Sequence, residues 1–290
     1  MQVDNDFRWD GCPLCGSDDI RGLGPADYQG GVKYSTRDID LCHRPEIWQC
    51  ESCKSGFTQN IVPEDISRSL YSSSRAAERW SNTPFLRDKT PEVVVTMQNH
   101  FKTGASVLDV GCNTGELLDY AKTLGCQTTG LEYSSDSREI IRNKGHSAYQ
   151  SIDELDRQFG LITAFDLVEH LYDVNGFLAA CHEKLDSGGK LILLTGDIQS
   201  RSASRAGQHW WYLQYPEHIV FPSRRYFEGR DGFSLEAWIP TYAAIGYVVP
   251  GLRILLSRIK SRLTGRCYNG LPSISPDHAL IVLTRQTSKP

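Results

Sequence analysis

Residues 107–118 read VLDVGCNTGELL, and the reading of this stretch decides the fold. Four residues suited to a buried strand run into a turn bracketed by Gly111 and Gly115, and the turn runs into a helix. Glycines in such a turn let backbone come close to a ligand and aim the first helical N–H groups at it. The same glycines also suit a plain strand-to-helix turn, so the surrounding chain has to decide. Downstream, TGELLDYAKTLG is helical with Gly125 at its C-terminal cap, CQTTGLE is a second strand, and SSDSREIIRNKG is a helix capped by Ser134 or Ser135. HSAYQ follows as a short third strand. LITAFDLVEHL reads as a buried strand entering a loop, NGFLAACHEKL as a helix, and KLILLTG as a strand after the turn at Ser187, Gly188 and Gly189. This alternation predicts an α/β fold with a parallel sheet and helices on both faces.

Beyond Gly196 the pattern breaks into polar and aromatic stretches, interrupted by the strand-like FSLEAWIP and closed by HALIVLTR. Ligands of open parallel sheets sit beyond the carboxyl ends of the strands. The insertions at about 197–227 and 241–276 are therefore candidate caps over a substrate pocket. Upstream, residues 63–103 read as a helical segment that would cover that pocket, and residues 1–62 hold all the paired cysteines with few long apolar runs.

The chain has 290 residues, 40% of them hydrophobic, enough for one large domain with an appendage. MQVDNDFRWDG at the N-terminus is acidic with no apolar run behind it, so no secretory signal is expected. No stretch approaches the roughly 20 apolar residues of a membrane span, and a cytoplasmic setting is the expectation. A formal net charge of -4 argues against a large phosphate-binding surface. Nine cysteines, an odd count, suit reduced thiols and a metal site better than a disulfide framework.

Two features raise the glycine turn above a plain connection. Asp109 sits two residues before Gly111, and Glu132 ends the next strand, where an acidic side chain can accept both hydroxyls of a ribose. The turn has neither a Walker lysine nor the third glycine of the dinucleotide fingerprint. VLDVGCNTG (107–115), GLEYS (130–134), FGLITAFDLVEHLYD (159–173) and LDSGGKLILLTG (185–196), in this order and spacing, resemble the class I S-adenosylmethionine-dependent methyltransferases. The likeness covers about residues 100–196, with FSLEAWIP and HALIVLTR matching the last two strands. It implies a Rossmann-like seven-stranded sheet whose last strand is antiparallel, and S-adenosylmethionine as cofactor. By this resemblance Asp109, Gly111 and Gly115 would line the methionine and ribose part, Glu132 would bind the ribose, and Tyr133 would lie against the adenine. Ser151 and Ile152 would flank the adenine edge, and Asp166 with Phe165 would close the sulfonium end. Asn113 stands where the family often has Gly, and Asn tolerates a left-handed backbone better than most residues.

CPLC (Cys12, Cys15) and CESC (Cys50, Cys53) are two CxxC knuckles, the arrangement of a four-sulfur zinc site. A redox or iron-sulfur role is the alternative. The gap between the pairs is long, so Cys42 or His43 could replace a ligand. A closed four-thiolate site folds its module and does not catalyse. Arg8, Arg21, Lys33, Arg37, Arg44 and Lys54 are outnumbered there by Asp and Glu, so the module reads as a scaffold or lid, not a nucleic-acid arm. Cys112, Cys126 and Cys181 read as small core residues, and Cys267 has no assignment.

Methyl transfer requires aligned partners and, for a protonated acceptor, a base; it does not require a metal. The candidates are His170 after the fourth strand, the cap cluster Tyr215, Glu217 and His218, and Tyr71 on the covering segment. Glu217 beside His218 could orient its tautomer. Each also has a plain structural reading. Trp210, Trp211 and Tyr212 pack the cap or wall the acceptor, and Arg224 and Arg225 are solvated or grip a phosphate. LRILLSRIKSRL (252–263) has the pattern of a basic amphipathic helix, docked on the sheet edge or touching a membrane surface or an anionic substrate.

The four-cysteine module, the class I core and the Y-x-E-H cluster together resemble sugar C-methyltransferases acting on nucleotide-linked keto-deoxysugars. Tyr71, His170, Tyr215, Glu217 and His218 would inherit the residues that deprotonate the carbon beside the ketone. Those enzymes continue into a further C-terminal domain, whereas this sequence stops just after HALIVLTR, so O-methylation of a sugar or natural product fits as well. The rival expectations are an RNA methyltransferase that binds its target through the zinc module, and a non-catalytic cofactor-binding regulator.

Overall fold

The structure is a computed structural model that describes residues 1–26, 32–72, 83–248 and 275–286. The chain begins with six strands, β1 (Gln2–Val3), β2 (Ile20–Pro25), β3 (Val32–Tyr34), β4 (Arg37–Leu41), β5 (Glu46–Cys50) and β6 (Gly56–Gln59). Helices α1 (Glu64–Ser72), α2 (Phe85–Asp88) and α3 (Pro91–His100) follow. The main alternation is β7 (Ser106–Val110), α4 (Glu116–Thr123), β8 (Gln127–Leu131), α5 (Ser135–Asn143), β9 (Ser147–Tyr149), β10 (Phe159–Phe165), α6 (Val174–Lys184) and β11 (Leu185–Gly196). The chain closes with α7 (Arg201–Ala206), β12 (Val220–Phe221), α8 (Arg224–Glu228), β13 (Phe233–Thr241) and β14 (His278–Arg285).

Seven strands form one sheet in the order β13-β14-β11-β10-β7-β8-β9. Only β14 runs against its neighbours, pairing antiparallel with both β11 and β13. The order reverses beside β7, which places the ligand crevice at the carboxyl ends of β7, β8 and β10. The central strands are apolar without alternation because helices cover both faces: Leu161, Ile162 and Ala164 on β10 and Leu191 to Leu194 on β11 are all buried. The punctuation is local chemistry. Ser134 caps α5 by accepting from the Ser137 amide, and Gly125 leaves α4 at φ 82°. The expected strand KLILLTG is longer than its apolar core, since β11 starts at Leu185 and includes the residues read as a turn.

Residues 1–62, read from the sequence as a module with few long apolar runs, share the interior of the main sheet. Cys12, Leu14, Cys50, Phe57 and Ile61 belong to the same buried cluster as Phe159, Leu191, Phe227 and Ile281. The connection is also hydrogen-bonded. The cap strand β12 joins β6 antiparallel, with Val220 opposite Phe57 and Phe221 opposite Gly56, giving a second sheet in the order β12-β6-β5-β2. A third sheet has the order β1-β4-β3. The amphipathic stretch 252–263 and Cys267 lie outside the described residues, as do most of the expected cap at 241–276 and residues 73–82 of the covering segment. Among the described residues no helix is long and apolar enough to cross a membrane.

Candidate active site

The turn after β7 is built from three left-handed residues: Gly111 at φ 72°, Asn113 at φ 47° and Gly115 at φ 87°. Glycine takes this conformation without strain, and Asn is among the few side chains that tolerate it. The Gly111 and Cys112 amides both donate to the Leu131 carbonyl, at 2.9 and 3.2 Å, which docks the turn onto the end of β8. Glu132, the next residue, is buried, and its carboxylate accepts from the Asn113 amide at 3.1 Å and the Ser134 amide at 2.9 Å. Burial raises its pKa, although these amides oppose the shift. The Asn113 Oδ1 atom is buried with no hydrogen-bond partner, a lone acceptor at the lip of the crevice.

Asp109 is fully enclosed at the floor of the turn, where Thr163 Oγ1 donates to it at 2.7 Å. Burial pushes its pKa up to about 7, against the opposing Thr163 bond. A carboxyl raised in the folded state holds its proton more tightly when folded. Its stabilising contribution is therefore complete below pH 3.8 and lost as the pH rises through about 7. The ligand-free protein should lose on the order of 4 kcal/mol between pH 4 and pH 8 relative to Asp109→Asn, measured by urea unfolding. Parallel stability profiles for the two proteins would remove this account.

One cavity of about 900 Å³ gathers most of the residues singled out in the sequence. Asp109, Gly111, Asn113, Glu132, Tyr133, Ser151, Ile152, Phe165 and Asp166 line it, and so do Tyr71, His170, Glu217 and His218. Two residues do not. Gly115 is the N-cap of α4, and Tyr215 turns its hydroxyl away to the Asn60 carbonyl at 2.7 Å. Asp166 follows β10 in a left-handed conformation, φ 50°, and its carboxylate lies between the Lys89 ammonium at 3.4 Å and the Tyr212 hydroxyl at 3.2 Å. Burial pulls the Lys89 pKa down, but Asp166 and Asp88 outweigh it and leave the pKa raised.

The two cavity histidines share one arrangement. His170 Nδ1 lies 2.9 Å from the Glu217 carbonyl, and His218 Nδ1 lies 2.7 Å from the Tyr212 carbonyl. A carbonyl only accepts, so each Nδ1 donates, which in a neutral ring leaves Nε2 as the acceptor nitrogen. The rings meet edge to face at 4.7 Å. The orienting group for His218 is thus the Tyr212 carbonyl. The Glu217 carboxylate accepts instead from the Ser35 amide, at 2.7 Å, in the turn between β3 and β4. Behind the histidines Glu169 is fully buried, its carboxylate receiving the Thr195 hydroxyl at 2.9 Å and the Tyr212 hydroxyl. Burial raises the Glu169 pKa, and His170 draws it back. Tyr71, also on the wall, is raised by burial and by Glu132 and Glu217.

Sequence reasoning missed Lys89, Tyr34, Glu169 and the polar role of Tyr212. Tyr34 and Lys89 line the cavity from segments read as module and covering helix. Tyr212 was read as packing the cap or as an apolar wall, and it does pack: a Cβ on Gly196 would sit 2.2 Å from its ring. The bare strand end is what lets that ring lie flat on β11. Glu169 had one signal, a second carboxylate after Asp166 in the mostly apolar LITAFDLVEHL.

Among residues that do not line the cavity, Cys12, Cys15, Cys50 and Cys53 bring four sulfurs within 4.8 Å of one another. Cys12 and Cys53 Sγ are 3.7 Å apart and Cys15 and Cys50 Sγ 3.5 Å apart. Tetrahedral bonds of about 2.3 Å set sulfurs about 3.8 Å apart, so the donor set and its spacing fit zinc. The contact with Cys12 holds Cys53 down to about 5, while the same contact and burial raise Cys12. Four thiolates together therefore need a cation among them. Cys42 is exposed and outside this cluster, and His43 faces Asp4 at 3.4 Å.

Comparison with known proteins agrees with this fold. A family model described as a methyltransferase domain matches residues 81–230, half of the chain. A ubiquinone biosynthesis O-methyltransferase of Idiomarina loihiensis is 28% identical over 150 residues, covering 47% of this chain and 62% of that protein. One from Bradyrhizobium sp. is 31% identical over 102 residues, covering 32% of this chain and 40% of that protein. The chain thus spans about half the length of these curated relatives. Among solved structures, magnesium protoporphyrin IX methyltransferase from Synechocystis PCC 6803, with bound S-adenosylhomocysteine, superposes with a TM-score of 0.51 at 13% identity. That match covers 77% of this chain and all of the other, and at this identity it speaks for the fold alone.

Proposed function

Because this chain belongs to the methyltransferase-domain family, with the class I S-adenosylmethionine-dependent fold, we propose that it transfers a methyl group to a small acceptor, a sugar or natural-product intermediate. His218 acts as general base. The observation that carries this reading is the pair of imidazoles with their Nε2 lone pairs in one cavity with the glycine turn and Glu132.

The cavity residues fit the cofactor. Asp109, Glu132 and Asp166 set carboxylates around a space suited to a cation, and the orphaned Asn113 Oδ1 offers an acceptor for an ammonium or hydroxyl. When bound, S-adenosylmethionine supplies a methyl group on positively charged sulfur, open to in-line displacement. Glu132 would hold the ribose hydroxyls, Tyr133 the adenine face, Ser151 and Ile152 its edge, and Gly111 and Asp109 the methionine part. Phe165 and Asp166 would close the sulfonium end. His218 Nε2 would take the acceptor's proton, from a hydroxyl or from a carbon beside a ketone, with His170 edge-on beside it. Tyr71, kept in its neutral phenol form by burial and nearby carboxylates, would donate a hydrogen bond to the acceptor. Glu217 would line the acceptor space. Zn2+ would sit in the four thiols as a closed structural site, away from the chemistry.

The curated relatives bear the name of ubiquinone biosynthesis O-methyltransferase, which favours a hydroxyl acceptor. The test is calorimetric titration of S-adenosylhomocysteine, followed by a panel of phenols, nucleotide-linked sugars and short RNAs. Binding of a phenol or nucleotide sugar only in the presence of the cofactor product is the expected result. RNA binding with steep salt dependence would replace the small-molecule reading.

A further inference from the structure

The acceptor half of the cavity is held from behind by residues 1–62. The Thr58 amide donates to the Ile219 carbonyl at 2.8 Å, and the Ile219 amide donates to the Glu169 carbonyl at 2.8 Å. Those bonds anchor the segment whose Glu217 carbonyl receives His170 Nδ1 and whose next residue is His218. The Ser35 amide, at a left-handed φ of 49°, grips the Glu217 carboxylate from the other side. The chain of contacts starts at the thiols. The Ser55 hydroxyl, two residues after Cys53, accepts from the Ser223 amide at 3.0 Å, while the Ser223 hydroxyl donates to the Cys53 carbonyl. Cys53 stands three residues before β6, and Ser223 two residues after β12, the pair of strands that joins the cap to the cysteine segment. The cofactor half is fastened differently, by the Gly111, Cys112 and Asn113 amides to β8 and Glu132.

We propose that the four-thiol site is a positioning element for the acceptor half of the cavity. Its occupation by Zn2+ fixes β6, β6 and the turn at Ser35 fix residues 217–223, and that segment sets the two imidazoles. Ser35, Ser55 and Ser223 are positioning residues: they act through Glu217, His170 and His218 and have no role in holding the cofactor. The inference rests on the methyl-transfer reading only for what the imidazoles do.

The test uses the full chain, stripped of metal with a chelator under reducing conditions and compared with the zinc-loaded protein. Stripping should speed amide exchange at Thr58 and Ile219 at least about 100-fold. It should also abolish the Nδ1–H tautomer signature of His170 and His218 in long-range nitrogen spectra. The S-adenosylhomocysteine Kd should move by less than about threefold, because the turn after β7 has its own anchors. An unchanged histidine signature in stripped protein overturns the proposal, and so does cofactor binding lost in step with the exchange protection. Ser55→Ala keeps all four thiols and should retain one zinc per chain, with about tenfold faster exchange at Ile219 and a partial loss of the histidine signature. Native exchange and histidine spectra in that variant would place the coupling elsewhere and overturn the role of Ser55. If the intact protein binds no S-adenosylhomocysteine, the methyl-transfer reading fails, while the exchange and histidine measurements still decide this one.

Discussion

Changing His218 to Gln lowers methyl transfer at least about a hundredfold and leaves the S-adenosylhomocysteine affinity within about twofold. The Gln amide can still donate to the Tyr212 carbonyl that now holds His218 Nδ1, so the cap keeps its local bond. What it loses is the Nε2 lone pair, and no amide accepts a proton near neutral pH. Asp109, Gly111 and Glu132 stay in place because they lie on β7, in the turn after it and just beyond β8, in elements other than the cap. Single-turnover rates with any accepted substrate check the first part, and calorimetry the second. Undiminished turnover would remove His218 as the base and pass the role to His170, whose ring carries the same tautomer 4.7 Å away.

Glu132→Ala should weaken cofactor binding by about 10²–10³-fold, with little change in the acceptor half. Two effects act together. Hydrogen bonds from a ribose to a charged acceptor contribute about 1.5–3 kcal/mol each, and both would disappear. The amides of Asn113 and Ser134, which now donate to this carboxylate, would also lose their acceptor at a buried site. Glu132→Gln should not rescue much, because its NH2 group would face one of those N–H donors. Calorimetry with S-adenosylhomocysteine reads the effect, and a loss below about tenfold would mean that the ribose is held elsewhere.

Much of the fold was legible because its signals are local. Strand and helix in VLDVGCNTGELL, the cap at Ser134 and the left-handed Gly111, Asn113 and Gly115 each follow from a few neighbouring residues. The cofactor residues read from the resemblance line one cavity with that turn, apart from Gly115 at the helix start. The four cysteines were also legible, since a CxxC turn brings two thiols together without help from the rest of the chain.

What escaped depends on pairings far apart in sequence. Val220 and Phe221 are too short to announce a strand, and nothing near them says that their partner is Phe57, more than 160 residues earlier. Glu217 looked like the orienter of His218 because the two are adjacent. Consecutive side chains in an irregular segment need not face each other, and these face the Ser35 amide and the Tyr212 carbonyl. Lys89 gave no sign of facing Asp166, because its place on the cavity wall depends on how the segment from Phe85 folds back over the sheet.

The sewing of β12 to β6 bears on how such a chain can change over time or be recombined in the laboratory. A boundary drawn at residue 62 from composition divides a sheet, so a chimera that exchanged residues 1–62 alone would bring a foreign β6 against a native β12. The structural unit is discontinuous: the cysteine segment together with the stretch around Val220 and Ser223. Variation in one should be tolerated chiefly when matched in the other, while the turn at Gly111 answers to its own anchors on β8 and Glu132.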